Sequence, residues 1–293
     1  MRVLILGGGG MLGHRLSRVW RDEFDVWVTY RNSKARYADY RLADDTRQLD
    51  GVNAEQPVSV AKAIKQVSPD VVLNCIGLVK QRDHGQRRTL SAVNALFPHL
   101  LASYCMENNC RLIHISTDCV YSGRKGMYTE QDVPDPVDEY GMSKLLGEPL
   151  LPNVLTLRTS LIGWELDHHT SLLEWFVSQR GKTIKGYRKA IFSGYTTQSI
   201  AGMLSQIITR KPDLSGLYHL ASDPISKFDL LSACIEALNW HDIQLQGDDS
   251  LSIDRSLDAS TLNEIMKWKI PDWQTMIYEL SQDWLWYKQF RQD

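Results

Sequence analysis

Two hydrophobic rhythms alternate along the first half of this chain. Val3-Leu4-Ile5-Leu6 is a short, continuous apolar run, the pattern of a strand buried on both faces of a parallel sheet. A glycine cluster follows at once, and residues 14–20 then read as a helix. Val26-Trp27-Val28-Thr29-Tyr30 predicts a second strand. After a polar stretch carrying Arg31, Lys34, Arg36, Arg41 and Arg47, the apolar residues Val60, Ala63, Ile64 and Val67 fall at helical spacing. That helix, residues 58–67, should stop at Ser68-Pro69. Val71-Val72-Leu73-Asn74 is the next buried strand. Residues 90–108 predict a long helix, 111–116 a strand, 140–150 a helix and 154–158 a strand. Strand and helix in strict alternation mean an α/β fold, a doubly wound parallel sheet with helices on both faces. Ligands of such sheets bind beyond the carboxyl ends of the strands.

From about Leu161 the rhythm loosens. Residues 172–179, 199–209 and 227–238 read as helices and 217–220 as a short strand. This predicts a smaller C-terminal substrate domain. Residues 1–160 are then the nucleotide-binding part. Residues 161–293 are mainly substrate-binding, discontinuous, with some return to the main sheet.

Composition narrows the function. The chain has 293 residues and a formal net charge of −2, so no global field draws it to nucleic acid or to an anionic membrane. No apolar run approaches the ~20 residues of a membrane span. The N-terminal run is too short for a signal peptide and leads straight into structure. The cysteines Cys75, Cys105, Cys110, Cys119 and Cys234 are odd in number and hold no C-x-x-C pair. That argues against a disulfide framework and a thiolate zinc site, and for reduced cysteines in a cytoplasmic protein. The histidines show no ligand spacing, so no protein-held metal is expected.

The glycines Gly7, Gly10 and Gly13 stand between the first strand and the first helix. Glycine lets the backbone turn tightly and approach a ligand, and the helix start offers free N–H groups to a pyrophosphate. This is the setting of a dinucleotide fingerprint, which makes the sheet Rossmann-type. Gly7, Gly10, Met11, Leu12 and Gly13 are therefore cofactor-binding candidates. Further along, Tyr140 and Lys144 are four apart on a helix and share one face. A phenol beside an ammonium is a candidate acid or base, since the positive charge favours the ionised form. The strand ending at Ile115 delivers Ser116-Thr117-Asp118 to the same edge of the sheet.

The glycine loop, the strand-end Ser116-Thr117-Asp118 and Tyr140-x-x-x-Lys144 together resemble the extended short-chain dehydrogenase/reductases. More narrowly, Ile115 to Gly123, Tyr140 to Leu145, Leu157-Arg158-Thr159-Ser160 and Gly216 to Leu220 resemble the dTDP-4-dehydrorhamnose reductase family. The resemblance implies reduction of a 4-keto-6-deoxy nucleotide sugar. In it Thr117 hydrogen-bonds the substrate carbonyl, and Tyr140 protonates the developing alkoxide. Lys144 binds the nicotinamide ribose and lowers the tyrosine's pKa. It also implies that the loop Cys75-Ile76-Gly77 and Ser116 border the cofactor. Asn94 pins helix to strand, and Asn53 stands where the family often has an aspartate touching adenine. Rhamnose-forming relatives often carry aromatic side chains where this chain has Cys119 and Leu161, which leaves the sugar open.

An NAD site would usually place Asp or Glu at the end of the second strand. Here Thr29-Tyr30-Arg31-Asn32 offers Arg31, which can meet a 2′-phosphate, and so favours NADPH. Arg15 is a second candidate for that role. The substrate pocket is expected to use Val79, Lys80, Asp118, Trp164, Gly194, Tyr195, Thr196 and Arg255, with Lys80 or Arg255 on a pyrophosphate. The expected partner is a nucleotide sugar, and a homodimer stays open. Three rivals share the scaffold: a reductase of a UDP-linked amino sugar, a nucleotide-sugar epimerase, and a non-catalytic regulatory subunit.

Overall fold

The computed structural model describes residues 1–79, 87–167 and 170–291. Its centre is a seven-stranded sheet built from β1 (Arg2–Leu6), β2 (Asp25–Thr29), β3 (Gln48–Leu49), β4 (Val71–Asn74), β5 (Arg111–Ile115), β6 (Val154–Arg158) and β10 (Gly216–His219). The order is β10-β6-β5-β4-β1-β2-β3, and every pairing is parallel. The order reverses between β1 and β4, which opens a crevice at their carboxyl ends.

Helices cover both faces. On one side α1 (Met11–Trp20) and α7 (Thr197–Arg210) bury Leu16, Trp20, Ile200, Leu204 and Ile207 against β1 and β2. On the other, α2 (Pro57–Val67) and α4 (Phe97–Glu107) bury Val60, Ile64, Phe97 and Leu101. The long helix expected over 90–108 is α3 (Arg87–Leu90), a π-helical stretch Ser91–Leu96, then α4. A π-turn inserts an extra residue and re-aims side chains, often at functional sites. Here it carries Asn94.

The C-terminal part adds a three-stranded sheet that the sequence pattern did not reveal. It comprises β8 (Thr183–Phe192) between β11 (Ile225–Ser226) and β12 (Gln244–Asp254). In β8 only Ile184, Gly186, Ala190 and Phe192 are buried, and Lys185, Arg188 and Lys189 face solvent. A half-buried, heavily charged strand lacks the apolar run that marks β1 or β4. α8 (Lys227–Leu238) and α10 (Trp273–Lys288) pack around an aromatic cluster of Trp164, Trp240 and Trp284. Two short strands, β7 (Leu161–Ile162) and β9 (Tyr195–Thr196), tie this part to the end of β6. Among the described residues no helix is long and apolar enough to cross a membrane.

Candidate active site

The glycine loop is a backbone solution to close packing. Gly7 sits at φ +88°, where an L side chain is strained, and a Cβ on Gly13 would collide with the Gly7 carbonyl oxygen. Only glycine at 13 lets α1 start this close to β1. The Gly10, Met11 and Leu12 segment then faces a cleft of about 460 Å³.

The same cleft collects Cys75, Ile76, Gly77 and Val79 from the end of β4, and Ser116, Thr117 and Asp118 from the end of β5. It also collects Tyr140 and Lys144 from α5 (Glu139–Leu146), and Arg255 from the end of β12. Local chemistry explains the convergence. Thr117 caps the short 3₁₀ turn Asp118–Val120, its hydroxyl accepting from the Cys119 N–H at 3.2 Å. Asp138 caps α5 by accepting from the Gly141 N–H at 2.8 Å. A Cβ on Gly141 would strike the Cys119 carbonyl oxygen, so the missing side chain lets α5 lie against the turn and brings Tyr140 towards Thr117. Asn94 locks the arrangement. Its amide accepts from the Leu78 N–H, donates to the Leu78 carbonyl (both 2.9 Å) and donates to Ser143 on α5 at 3.1 Å.

The electrostatics depart from expectation at one point. The Lys144 ammonium, buried, donates to the Ile115 carbonyl at 2.7 Å. Burial pulls its pKa down to about 8, with Glu148 and Cys75 pulling the other way. It is not among the main influences on Tyr140, whose phenol is pushed up instead, chiefly by burial and then by Cys119. The Thr117 hydroxyl opposes that rise by a hydrogen bond to the phenolate form. Tyr140 is therefore a protonated acid at neutral pH. Asp118 is buried and its pKa is raised for the same reason, against the opposing charges of Arg255 and Lys227.

Several expected site residues lie elsewhere. Trp164 is a core residue, 1% exposed, its indole N–H donating to the Leu280 carbonyl at 3.1 Å. Tyr195 is fully buried, its hydroxyl donating to the Ala221 carbonyl at 2.8 Å. Gly194 and Thr196 do not line the cleft; Thr196 is buried as the cap of α7. Arg15 is buried, paired with Asp283, and does not line this cleft. Asn53 spends its side-chain oxygen on the Glu55 N–H at 3.0 Å. Ser116 lines the cleft, yet its hydroxyl donates to Glu148 at 2.6 Å. Arg31 is exposed at the end of β2. Lys80 lies outside the described residues.

Sequence reasoning missed Lys227 and the Glu148–Arg158 pair. Lys227 opens α8 and lines the cleft, with its ammonium 3.6 Å above the Phe192 ring. No motif flags it; the only signal is a lysine directly after the Ser226 helix cap. Glu148 accepts from Arg158 at 2.9 and 2.7 Å, and both side chains are 5% exposed. Arg158 also donates to the Tyr121 hydroxyl at 2.7 Å. Removing one charge strands the other in the interior. Glu148→Gln is expected to cost about 3–5 kcal/mol of stability in chemical denaturation.

This fold, with a tyrosine, a lysine and a glycine loop around one cleft, defines a Rossmann-type reductase. The chain belongs to the RmlD substrate binding domain family, which matches residues 1–284. A probable low-salt glycan biosynthesis reductase of Haloferax volcanii is 30% identical over 232 residues, 76% of this chain and 75% of that protein. A dTDP-4-dehydrorhamnose reductase of Aggregatibacter actinomycetemcomitans is 30% identical over 250 residues, 80% of this chain and 78% of that protein. The crystal structure of a hypothetical dTDP-4-dehydrorhamnose reductase from Sulfolobus tokodaii superposes with a TM-score of 0.77 at 25% identity. It covers 94% of this chain and 99% of its own.

Proposed function

We propose that this chain is a cytoplasmic NADPH-dependent reductase of a 4-keto-6-deoxy nucleotide sugar, supplying surface polysaccharide precursors. The leading substrate is dTDP-4-dehydro-β-L-rhamnose, reduced to dTDP-β-L-rhamnose. One observation carries this reading: Gly10 to Leu12, Thr117, Tyr140 and Lys144 meet in a single cleft at the carboxyl edge of the sheet.

The glycine loop fits a dinucleotide, because the Gly7–Gly13 contact holds the start of α1 close to β1 and Gly10 brings no side chain to the cleft at that helix start. When bound, the cofactor supplies the hydride. The chain's own residues do the rest. Tyr140, held as a phenol, donates a proton to the ketone oxygen as negative charge builds there. Thr117 positions that oxygen. Lys144, with a pKa of about 8, keeps a positive charge near the nicotinamide ribose at neutral pH. Arg255, from the part of the chain assigned to substrate, lines the cleft and is the base that would meet the diphosphate.

Arg31 is exposed just past the end of β2, with no acidic residue next to it in the sequence, and on this reading it is the group that would meet the 2′-phosphate. Arg31→Ser is expected to lower kcat/KM with NADPH by roughly 10- to 100-fold while leaving NADH unchanged, since one charge-assisted hydrogen bond is worth roughly 1.5–3 kcal/mol. Initial rates with both cofactors read this directly.

A reductase of a UDP-linked 4-keto amino sugar is the second reading. It is favoured by Cys119 and Leu161, which line the cleft with small or aliphatic side chains and leave room beside the sugar ring. A panel of dTDP- and UDP-linked 4-keto sugars, followed by NADPH absorbance, decides between them. No oxidation of NADPH with any member removes both.

A further inference from the structure

The end of α10 and the residues just after it reach back to both walls of the cleft. On the cofactor side the contact runs through His14 of α1, which is fully buried. A carbonyl can only accept, so the His14 Nδ1–H donates to the Gly10 carbonyl at 2.7 Å. Its Nε2 is then the acceptor, and the buried Tyr287 hydroxyl donates to it at 2.6 Å. Burial pulls the His14 pKa down to about 4, so the ring stays neutral and keeps this tautomer. Gly10 lines the cleft and donates its own N–H to the Gly7 carbonyl at 3.0 Å. An unbroken chain of hydrogen bonds thus joins α10 to the glycine loop.

On the opposite side the contact runs through Glu174 of α6 (Leu172–Val177), whose side chain is 1% exposed. Arg291 donates to both of its carboxylate oxygens at 2.7 Å, and the guanidinium lies 4.7 Å from the centre of the Trp284 ring. Glu174 also accepts from the Glu165 N–H at 2.8 Å. The Glu165 carboxylate accepts from the N–H groups of Thr170 and Ser171 at 2.7 and 3.0 Å. Glu165, Thr170 and Ser171 all line the cleft. A bidentate arginine fixes orientation as well as distance, so Arg291 sets where α6 and this wall stand. We propose that Tyr287 and Arg291 are positioning residues, Tyr287 holding the glycine loop for the dinucleotide and Arg291 holding the Glu165–Ser171 wall for the nucleotide sugar. The assignment rests on the cleft taking both of these ligands. Both residues stand beyond the stretch 1–284 that the family matches.

The two arms are separate chains of bonds, so they predict separate effects, which general loosening of the fold does not. The test measures NADPH affinity by fluorescence titration, and KM and kcat with whichever of the dTDP- and UDP-linked 4-keto sugars the wild type reduces fastest. Tyr287→Phe leaves His14 Nε2 without its donor. It should weaken NADPH about two- to tenfold, the worth of one hydrogen bond, with the sugar KM unchanged. Arg291→Ala should do the reverse. The sugar KM should rise about tenfold or more, since a charge-assisted hydrogen bond carries at least that factor, with kcat and NADPH affinity near wild type. Arg291→Lys keeps the charge but loses the fork, and should fall between wild type and Arg291→Ala. Guanidinium chloride, far below denaturing concentration, should bring the KM of Arg291→Ala back towards wild type. Wild-type constants in Tyr287→Phe or Arg291→Ala, equal changes in NADPH affinity and sugar KM in either, or no response of Arg291→Ala to guanidinium would overturn the assignment. The wild type separates the two levels. If it binds no NADPH and reduces no sugar of the panel, the reading of the cleft fails and the arms fall with it. If it does both while the variants match it, only the arms fail.

Discussion

Tyr140→Phe should lower kcat by about 10²–10⁴-fold while leaving NADPH affinity and the folded structure unchanged. The substitution removes one oxygen. The residue sits part-exposed at the start of α5, and among the described residues no structural hydrogen bond depends on its hydroxyl beyond the interaction with Thr117. The loss should therefore fall on the chemical step and not on KM. The size follows from what the hydroxyl does. It is a phenol whose pKa is raised mainly by burial, so it is fully protonated at neutral pH and releases its proton only to a strongly basic partner such as a developing alkoxide. Rates under single-turnover conditions, with NADPH titration by fluorescence as the control, check both halves of the expectation. An unchanged kcat would remove Tyr140 from the chemistry.

Gly13→Ala should abolish tight dinucleotide binding through one methyl group. A Cβ there would meet the Gly7 carbonyl oxygen and the backbone of Gly8, neither of which can rotate away. Either α1 moves off β1 or the glycine loop opens. Overpacking of this kind costs about 1–3 kcal/mol of stability. The loop displacement should weaken NADPH by at least about tenfold, since each 1.4 kcal/mol is a factor of ten in affinity. Thermal melting with and without NADPH reads the two effects separately. The melting point should drop, and the stabilisation by added NADPH should shrink or vanish. Full NADPH stabilisation in the variant would mean that the cofactor does not lie on this loop.

The parts of the molecule that sequence made readable are those where one physical requirement fixes the residue type. β1 and β4 are buried on both faces and so appear as unbroken apolar runs. Gly7 and Gly13 are dictated by a positive φ and a backbone collision. Tyr140 and Lys144 reach one cleft because four residues make a helical turn. Where many residues can satisfy the requirement, the sequence was silent. β8 and β12 are held by pairing to each other, with charged side chains outward, so their pattern resembles a loop. Trp164 and Tyr195 were expected in the substrate pocket. The fold uses them as core, each satisfying its one polar atom on a backbone carbonyl. Lys227 was overlooked for the opposite reason. A lysine at a helix start usually faces water, and only the packing of α8 against β8 and β12 brings this one to the cleft. The pairing of Lys144 with Tyr140 was also incomplete as a sequence argument. Spacing put both on one face, but the ammonium is drawn to the Ile115 carbonyl, and burial governs the phenol.

The central claim is that this cleft moves a hydride to a ketone carbon while Tyr140 protonates its oxygen. The most direct measurement uses NADPH carrying deuterium at the transferable position of the nicotinamide, with dTDP-4-dehydrorhamnose and its UDP-linked counterparts as acceptors. The expected product carries one deuterium at C4 of the sugar, with one NADPH consumed per product, and Tyr140→Phe forms almost none. Recovery of an epimerised sugar with no net NADPH consumption, or of a reduced sugar without deuterium at C4, would contradict the account.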